Sequence, residues 1–332
     1  MDNILHPIPT PPQNKTGWPW DTVSQPLPPT LPDGSPWPKI SIVTPSFNQA
    51  QYLEETIRSV LLQGYPNLEY IIIDGGSTDG SVEIIKKYEP WLTYWVSEPD
   101  RGQSHAINKG FDLATGSIAG WINSDDIYYP HAFEIVALWW VENEKPNDLI
   151  TGTKLKGNSS LDSISRLNQE PFTTEHLLTQ CIVEQPSTFF PLQLFKEIGG
   201  IDERYHLSLD YDLWLRFSHN GSKIRFIDRD LAITRIHSSA KTSKFQKQSC
   251  RESFTAVWRS YKLLSAPWIK KWITAVLAPS TLDNTIFKNQ RLFLRNAAYK
   301  LIMTFLQIAI FPIGLINHKN YIVNNGRNKL NQ

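Results

Sequence analysis

Residues 118–126, Ile-Ala-Gly-Trp-Ile-Asn-Ser-Asp-Asp, decide how the fold of this chain is interpreted. The apolar run 118–122 predicts a strand, so Asp125 and Asp126 would lie at its carboxyl end, where open α/β sheets bind ligands. Two adjacent carboxylates repel each other unless a cation or hydrogen bonds neutralise them. A Mg²⁺ or Mn²⁺ ion that carries a diphosphate would do this. The alternative is a polar strand-to-helix turn with Asp126 as the cap, because Pro130 soon opens a helical pattern.

Upstream of this stretch, apolar strands alternate with short helices. The predicted strands are Ile40–Thr44, Tyr70–Ile73 and Leu92–Val96, and the predicted helices are Tyr52–Leu62, Val82–Tyr88 and Gln103–Leu113. This alternation is typical of an α/β fold with a mostly parallel central sheet. A polar cluster follows each strand, so we expect the clusters to converge on one edge of the sheet. The clusters are Pro45–Asn48, Asp74–Ser77, Glu98–Arg101 and Asn123–Asp126.

The sequence contains neither of the two common phosphate-binding loops, G-x-G-x-x-G and G-x-x-x-x-G-K-[ST]. Its Gly-rich stretch 74–80 has no lysine. That stretch is compatible with a ligand-binding loop and equally with a tight turn in which Ser77 or Asp79 caps a helix.

The length of 332 residues allows one large domain or two modest ones. We expect an N-terminal arm over 1–38, an α/β domain over 39–240 and a helical region over 241–332. The arm holds 11 of the 23 prolines and three tryptophans, which excludes a regular helix or a central strand. Because tryptophans are costly to leave in water, an arm packed on the domain is favoured over a disordered one.

Charge is unevenly distributed along the chain, although the net charge is only +1. Residues 235–332 carry 16 Lys and Arg against 2 acidic residues, or +14, which leaves 17 basic and 30 acidic residues, or −13, for 1–234. The segment 301–316 is almost entirely apolar, but it is shorter than the ~20 residues of a spanning helix. Charge and an apolar face together favour contact with an anionic membrane surface over nucleic-acid binding. A core helix or an oligomer contact is the alternative for 301–316.

The cellular compartment is predicted from the cysteines and the N-terminus. Cys181 and Cys250 provide no disulfide framework, and the first residues lack the basic start and apolar core of a secretory signal. We therefore expect a cytoplasmic protein that is peripheral on the inner face of the plasma membrane.

Six segments over residues 40–240, taken in order, resemble the family 2 glycosyltransferases of the bacterial type with an Asn-Ser-Asp-Asp motif. The segments are Val43–Asn48, Ile73–Asp79, Ser97–Gly102, Ala106–Gly110, Asn123–Asp126 and Asp210–Trp214. The resemblance implies the GT-A nucleotide-sugar-binding fold, followed by a C-terminal helical extension. It also implies an inverting transfer of a sugar from a nucleotide-sugar donor, expected to be a UDP-sugar. The acceptor would be a hydroxyl of a glycan or lipid-linked molecule in cell-surface polysaccharide synthesis.

The resemblance assigns roles to particular residues. Asp74 would accept the N3–H of a uracil base, and Asp125 would face the ribose. Asp126 would bind Mn²⁺ or Mg²⁺ on the diphosphate, and His237 either completes that metal site or is an ordinary packing residue. The other residues of the predicted nucleotide site are Thr44, Pro45, Ser46, Asn48, Gly75, Arg101, Asn108, Lys109 and Asn123.

Asp210 matches the catalytic base of the family and would take the proton of the attacking acceptor hydroxyl. The residue before it is Leu209 where family members often carry Glu, which leaves an acceptor contact at that position in doubt. The alternative for Asp210 and Asp212 is that they cap or solvate a helix. Two other functions stay open: a nucleotidyltransferase-like protein, which would normally show a lysine-bearing Gly-rich loop, and a sugar-nucleotide-binding protein without transfer activity.

Overall fold

A computed structural model describes residues 8–144, 147–166, 173–237 and 245–277, together with 297, 300, 301, 304, 315–317 and 320–322. The chain divides into two compact units. The first comprises Met1–Pro171, Val183–His206 and Asn220–His237, and the second comprises Phe172–Ile182, Leu207–His219 and Ser238–Gln332. The boundaries predicted at residues 38 and 240 stay predictions.

The strands of the first unit form one nine-stranded mixed sheet. They are β1 Ile40–Ser46, β2 Leu68–Asp74, β3 Tyr94–Ser97, β4 Ile118–Trp121, β5 Ile127–Tyr128, β6 Leu149–Gly157, β7 Ile164–Arg166, β8 Thr188–Pro191 and β9 Ile224–Arg235. The order is β3-β2-β1-β4-β8-β6-β9-β5, with β7 paired to β6. The first four strands in this order are parallel, and β8 is antiparallel to β4. The α/β alternation predicted over residues 40–122 is therefore confirmed.

Helices of the first unit cover both faces of the parallel part of this sheet. The helices bounded within the described residues are α1 Ala50–Leu61, α2 Ser81–Tyr88, α3 Gln103–Leu113, α4 Ala132–Asn143, α5 Thr174–Thr179, α6 Leu192–Glu197, α7 Leu209–His219, α8 Gln246–Tyr261 and α9 Ala266–Leu277, with 3-10 turns at Glu89–Trp91 and Gln185–Ser187. Alternate residues of a strand face opposite sides of a sheet. Ile40 and Ile42 of β1 accordingly share a core with α1, α2 and α4. Val43 meets α3 at Gly110, where a Cβ atom would lie only 2.5 Å from Val43 Cγ1.

The proline-rich arm, described from Ile8 onward, packs on the rest of the first unit. Trp20 and Trp37 are buried. The guanidinium of Arg58 in α1 donates to the carbonyl oxygens of Pro9, Pro19 and Trp20 at 2.7–2.9 Å. These bonds satisfy backbone oxygens that a proline-rich segment cannot place in a helix or sheet, so the arm has the packed arrangement.

The second unit comprises α5, α7, α8 and α9 with the strands β10 Leu264–Ser265, β11 Leu315–Asn317 and β12 Asn320–Ile322. Tyr211 ties three of its helices together, because its hydroxyl donates to the Leu177 carbonyl at 2.5 Å and accepts from Trp268 Nε1 at 2.9 Å. Most of the apolar segment 301–316 lies outside the described residues, and its last two residues belong to β11, a strand instead of the expected helix. Within the part of the chain that is described, no helix has the length and apolar character needed to cross a membrane.

Candidate functional site

Three parallel strands of the first unit end side by side in polar residues. Ser46, Asp74 and Ser97 close β1, β2 and β3, and they are partners in the sheet register. The loops that follow these strands are joined directly, since Gly75 N–H donates to the Ser46 carbonyl at 2.9 Å and Glu98 N–H to the Asp74 carbonyl at 3.0 Å. The polar clusters after these strands thus share one edge of the sheet, as the sequence predicts.

Asp74 is fully buried at this edge and holds the loop between β2 and α2. Its Oδ2 accepts hydrogen bonds from Gly76 N–H, Ser77 N–H and the Ser97 hydroxyl at 2.7–3.1 Å. Its Oδ1 accepts the Ser77 hydroxyl at 2.6 Å. A contact between Asp74 and a nucleobase would therefore compete with four protein donors.

The other predicted residues Thr44, Ser46 and Asn48 lie at or just after the end of β1, at the same edge of the sheet. Thr44 is fully buried, and its hydroxyl is 3.0 Å from that of Tyr70. Ser46 Oγ is also buried, and it has no hydrogen-bond partner within the described residues. Asn48 adopts a positive φ of 52° and accepts Thr78 N–H at 2.9 Å, which ties the end of β1 to the following loop.

Gly75 leaves space for a carboxylate that sequence reasoning missed. A Cβ atom on Gly75 would lie 2.8 Å from Asp100 Oδ2 and 3.3 Å from the ring of Phe47. Phe47 itself is 60% exposed. The sequence did contain one signal for this part of the site: Phe47 is an aromatic residue among the polar residues that follow β1.

The predicted wall residues on α3 and the loop before it are engaged with protein partners. Arg101 makes a bidentate pair with Glu203, with Nε–Oε2 3.0 Å and Nη2–Oε1 2.9 Å. The hydrogen bond from Arg101 lowers the pKa of Glu203. Asn108 binds both backbone groups of Ile201 at 2.8 Å, and Lys109 pairs with Glu98. These contacts fix the wall of the site and leave the Arg101 side chain 67% exposed.

The residues after β4 meet the end of β9. His237 Nε2 lies 3.0 Å from Asp125 Oδ2, and the His237 side chain is almost completely buried. Asn123 accepts from Gln103 Nε2 at 2.7 Å and donates to Gln185 Oε1 at 3.1 Å. The structure therefore brings together two of the predicted ligand-binding residues, Asp125 and His237.

Asp126, the neighbour of Asp125 in the chain, is buried, and its surroundings favour the protonated form. Its Oδ1 accepts Arg235 N–H at 2.9 Å. Burial, with the charge of Asp125 as the second cause, raises the pKa of Asp126 to about 8. A nearby cation would favour the ionised form, so this carboxylate has the electrostatic character of a metal ligand or of its immediate neighbour.

Arg235 organises these acids, although the sequence pointed only to His237 two residues later. Its Nε donates to the Asp125 carbonyl at 3.0 Å, and its Nη2 forms a buried pair with Glu55 of α1. The guanidinium also lies 4.6 Å from the centre of the Tyr52 ring. The signal in the sequence was the position of Arg235, which ends β9 just after a mostly apolar run, where an unpaired charge would be costly.

The predicted base, Asp210, belongs to the second unit. It lies in the first turn of α7, is half-buried, and accepts Tyr211 N–H at 2.8 Å. Asp212 pairs with Arg216 one turn later at 2.7 Å.

Comparison with known proteins gives a consistent result for the family. The profile described as "Glycosyl transferase family 2" matches residues 41–192. An uncharacterized glycosyltransferase of Rickettsia typhi is 30% identical over 235 residues, which are 68% of this chain and 71% of the relative. An uncharacterized glycosyltransferase of Mycobacterium tuberculosis is 31% identical over 181 residues, which are 54% of this chain and 68% of the relative.

Two solved structures have the same fold. The S. aureus TarS 1-349 complex with UDP-GlcNAc has a TM-score of 0.54 at 15% identity, over 72% of this chain and 71% of that one. The mannosyltransferase PcManGT from Pyrobaculum calidifontis, in complex with GDP-Man and Mn²⁺, has a TM-score of 0.53 at 16% identity, over 87% and 89%. The predicted GT-A fold is thereby confirmed.

Proposed function

This chain belongs to glycosyl transferase family 2, and from that premise we propose that it is a metal-dependent, inverting glycosyltransferase that uses a nucleotide-sugar donor. The observation that carries the proposal is the position of Asp125, Asp126 and His237 beside the carboxyl edge of a parallel sheet. In open α/β sheets this edge is where ligands bind. The buried Ser46 hydroxyl, which has no partner among the described residues, supports a ligand there.

We propose a UDP-sugar as the donor. Among proteins of the same fold, TarS was solved with UDP-GlcNAc and PcManGT with GDP-Man. The half of the site formed by β1, β2 and β3 would hold the nucleoside, with Thr44, Pro45 and Asn48 supporting it from below. Arg101 would turn from Glu203 toward the nucleotide, since its guanidinium is exposed.

The residues present fit a divalent cation such as Mn²⁺ or Mg²⁺. The Asp125 carboxylate and the His237 imidazole, 3.0 Å apart, are suitable donors, and a bound cation would favour the ionised form of the neighbouring Asp126. The described residues assemble no group of three or more His, Cys, Asp or Glu side chains placed to hold an ion. A partial protein site agrees with a cation that takes its other ligands from a diphosphate and water. When bound, the cation would stabilise the negative charge of the departing nucleoside diphosphate.

Either acid could be the principal protein ligand of that cation. Asp126 was predicted to bind the cation. The contact between Asp125 and His237 supports the proposal that Asp125 binds the same cation. Arg235 fixes both acids, because it donates to the Asp125 carbonyl and to the Asp126 carboxylate.

Asp210 is proposed as the general base. It would accept the proton of an acceptor hydroxyl that attacks the anomeric carbon opposite the diphosphate, and a single displacement inverts the configuration. We propose as acceptor a glycan or lipid-linked molecule of cell-surface polysaccharide synthesis. An anionic membrane is the proposed partner of the basic C-terminal region.

The test is release of nucleoside diphosphate from UDP-, GDP- and dTDP-sugars, with Mn²⁺, Mg²⁺ or EDTA. Asp125→Asn, Asp126→Ala, His237→Gln and Asp210→Asn are compared with wild type, and exposed Asp112→Asn is the control. We expect metal-dependent turnover of one donor that the control keeps and Asp210→Asn loses. Turnover that is unaffected by EDTA, or by Asp210→Asn, contradicts the mechanism. Metal-dependent binding without turnover on any acceptor would favour a binding protein.

A further inference from the structure

We propose that Asp100 selects the nucleobase of the donor and that it selects for uracil or thymine, the two bases with an imide N–H. This inference rests on the proposed function and names the specificity-determining residue of the same site. It starts from the loops after β2 and β3, where the structure places two carboxylates with different degrees of hydrogen bonding.

Asp74 was predicted to contact the base, but its carboxylate is already in use. It is fully buried and accepts four hydrogen bonds, from Gly76, Ser97 and twice from Ser77. A base that took one of these positions would leave a loop N–H or hydroxyl without a partner, which costs about as much as the new bond gains. Asp74 is therefore better suited to shaping the loop than to selecting a ligand.

Asp100 has one occupied and one open carboxylate oxygen. Its Oδ1 accepts Gly102 N–H at 2.7 Å, which fixes the orientation of the side chain. Its Oδ2 accepts no hydrogen bond from the described residues. This oxygen lies next to Gly75, only 2.8 Å from where a Cβ atom of that residue would be. A partly exposed carboxylate oxygen that is held in place and lacks a protein donor is available to a ligand.

The chemistry of a single acceptor oxygen discriminates among the bases. Uracil and thymine present one N–H donor at N3, which one oxygen satisfies. Guanine presents two adjacent donors, N1–H and the 2-amino group, and a carboxylate pairs with both only when both oxygens are open. Cytosine and adenine present a ring nitrogen that is itself an acceptor, and it would repel Oδ2. The exposed Phe47 ring beside Gly75 offers a flat apolar surface for the face of the base.

Gly75 is required for space in this arrangement and not for backbone conformation. A Cβ atom there would be 2.8 Å from Asp100 Oδ2, which is the free end of a side chain. Gly75→Ala would therefore move the carboxylate without unfolding the loop. The substitution tests the position of Oδ2 while it leaves the chemistry of Asp100 unchanged.

The experiment is calorimetric titration of full-length protein with UDP, dTDP, GDP and CDP in the presence of Mn²⁺. Wild type should bind UDP and dTDP more tightly than GDP or CDP. In Asp100→Asn the amide oxygen would stay on Gly102 N–H and the NH₂ group would face the base. UDP affinity should then fall about 10- to 100-fold, the range for a lost hydrogen bond to a charged group, while CDP loses less.

Gly75→Ala should weaken UDP about 10-fold with its melting temperature unchanged, because it displaces the same hydrogen bond. The exposed Asp112→Asn is the matched control and should bind as wild type does. The inference is overturned if wild type prefers GDP, or if both Asp100→Asn and Gly75→Ala keep UDP affinity within about twofold. In either case tight metal-dependent binding of a nucleotide would leave the proposed function standing. Failure of wild type to bind any nucleotide would instead overturn the proposed function as well.

Discussion

At the residue scale, Asp126 makes stability depend on pH. Its folded-state pKa is raised from 3.8 to about 8, so the folded protein holds a proton that the unfolded chain releases. In the metal-free protein the corresponding stability is fully present below the lower value and is lost as pH rises through the higher one. Urea unfolding in EDTA should show a free energy of unfolding that falls across this window. Asp126→Asn should flatten the fall, and Mn²⁺ should reduce it in wild type; an equally steep profile for the variant contradicts this account.

Arg235 is the second residue whose removal has a predictable cost. Arg235→Met removes the buried guanidinium that pairs with Glu55, leaves Glu55 with the partly exposed Lys15, and takes away a positive charge that favours the ionised form of Asp126. Breaking a buried ion pair on one side costs about 3–5 kcal/mol. Arg229→Met removes an exposed arginine from the same strand and should stay within about 0.5 kcal/mol of wild type. Denaturant unfolding measures the free energy of unfolding of both variants. An equal decrease for Arg235→Met and Arg229→Met would show that the buried ion pair does not stabilise the protein.

At the scale of elements, the contact of α3 with β1 reverses an ordinary helix preference. Replacing Gly by Ala inside a helix usually gains up to about 1 kcal/mol. At Gly110 the new Cβ would meet Val43 Cγ1 at 2.5 Å, so we expect Gly110→Ala to destabilise the protein by about 1–3 kcal/mol. Adding Val43→Ala removes the obstructing methyl groups and should recover part of this loss. Additive costs in the double mutant, measured by thermal or urea unfolding, would disprove the steric explanation.

The same scale shows why some elements could be predicted from the sequence and others could not. Gln103–Leu113 begins and ends where its apolar spacing predicted, because that signal is local. The pairing of β4 with β8 joins Ile118 to Pro191 and depends on packing between residues far apart in the chain. No periodicity within either segment contains that information.

The site was predictable by residue type and less so by the role of each residue. The sequence placed Asp74 and Asp125 in polar clusters that follow strands and should meet at one edge of the sheet, and the family resemblance added His237. It could not show that four donors already surround Asp74, nor that Asp100 reaches the space above Gly75. Hydrogen-bond saturation and side-chain reach are properties of the assembled loops.

At the scale of the whole molecule, charge separates the two ends of the chain. We expect binding to vesicles that contain anionic lipid, because residues 235–332 carry an excess of 14 positive charges. Lys270→Glu with Lys271→Glu should weaken sedimentation with such vesicles about 10-fold or more, at roughly 1 kcal/mol per charge removed. The control variant, Lys86→Glu with Lys87→Glu, makes the same change of charge in α2, within the acidic residues 1–234, and should bind vesicles as wild type does. Vesicle binding that is the same at low and high salt, and the same in wild type and in the Lys270→Glu, Lys271→Glu variant, would contradict the electrostatic explanation.

The packed arm also sets an order of events during synthesis. The arm is synthesised before its partners, which are Glu55 and Arg58 for Lys15 and Pro9, and Tyr128 for the Trp18 indole. More than a hundred residues separate Trp18 from its acceptor. Until each partner is made, the corresponding part of the arm lacks its contact, and its prolines, which have no N–H, cannot complete the hydrogen bonds of another sheet edge. The composition that denies this segment a regular structure also protects the nascent chain.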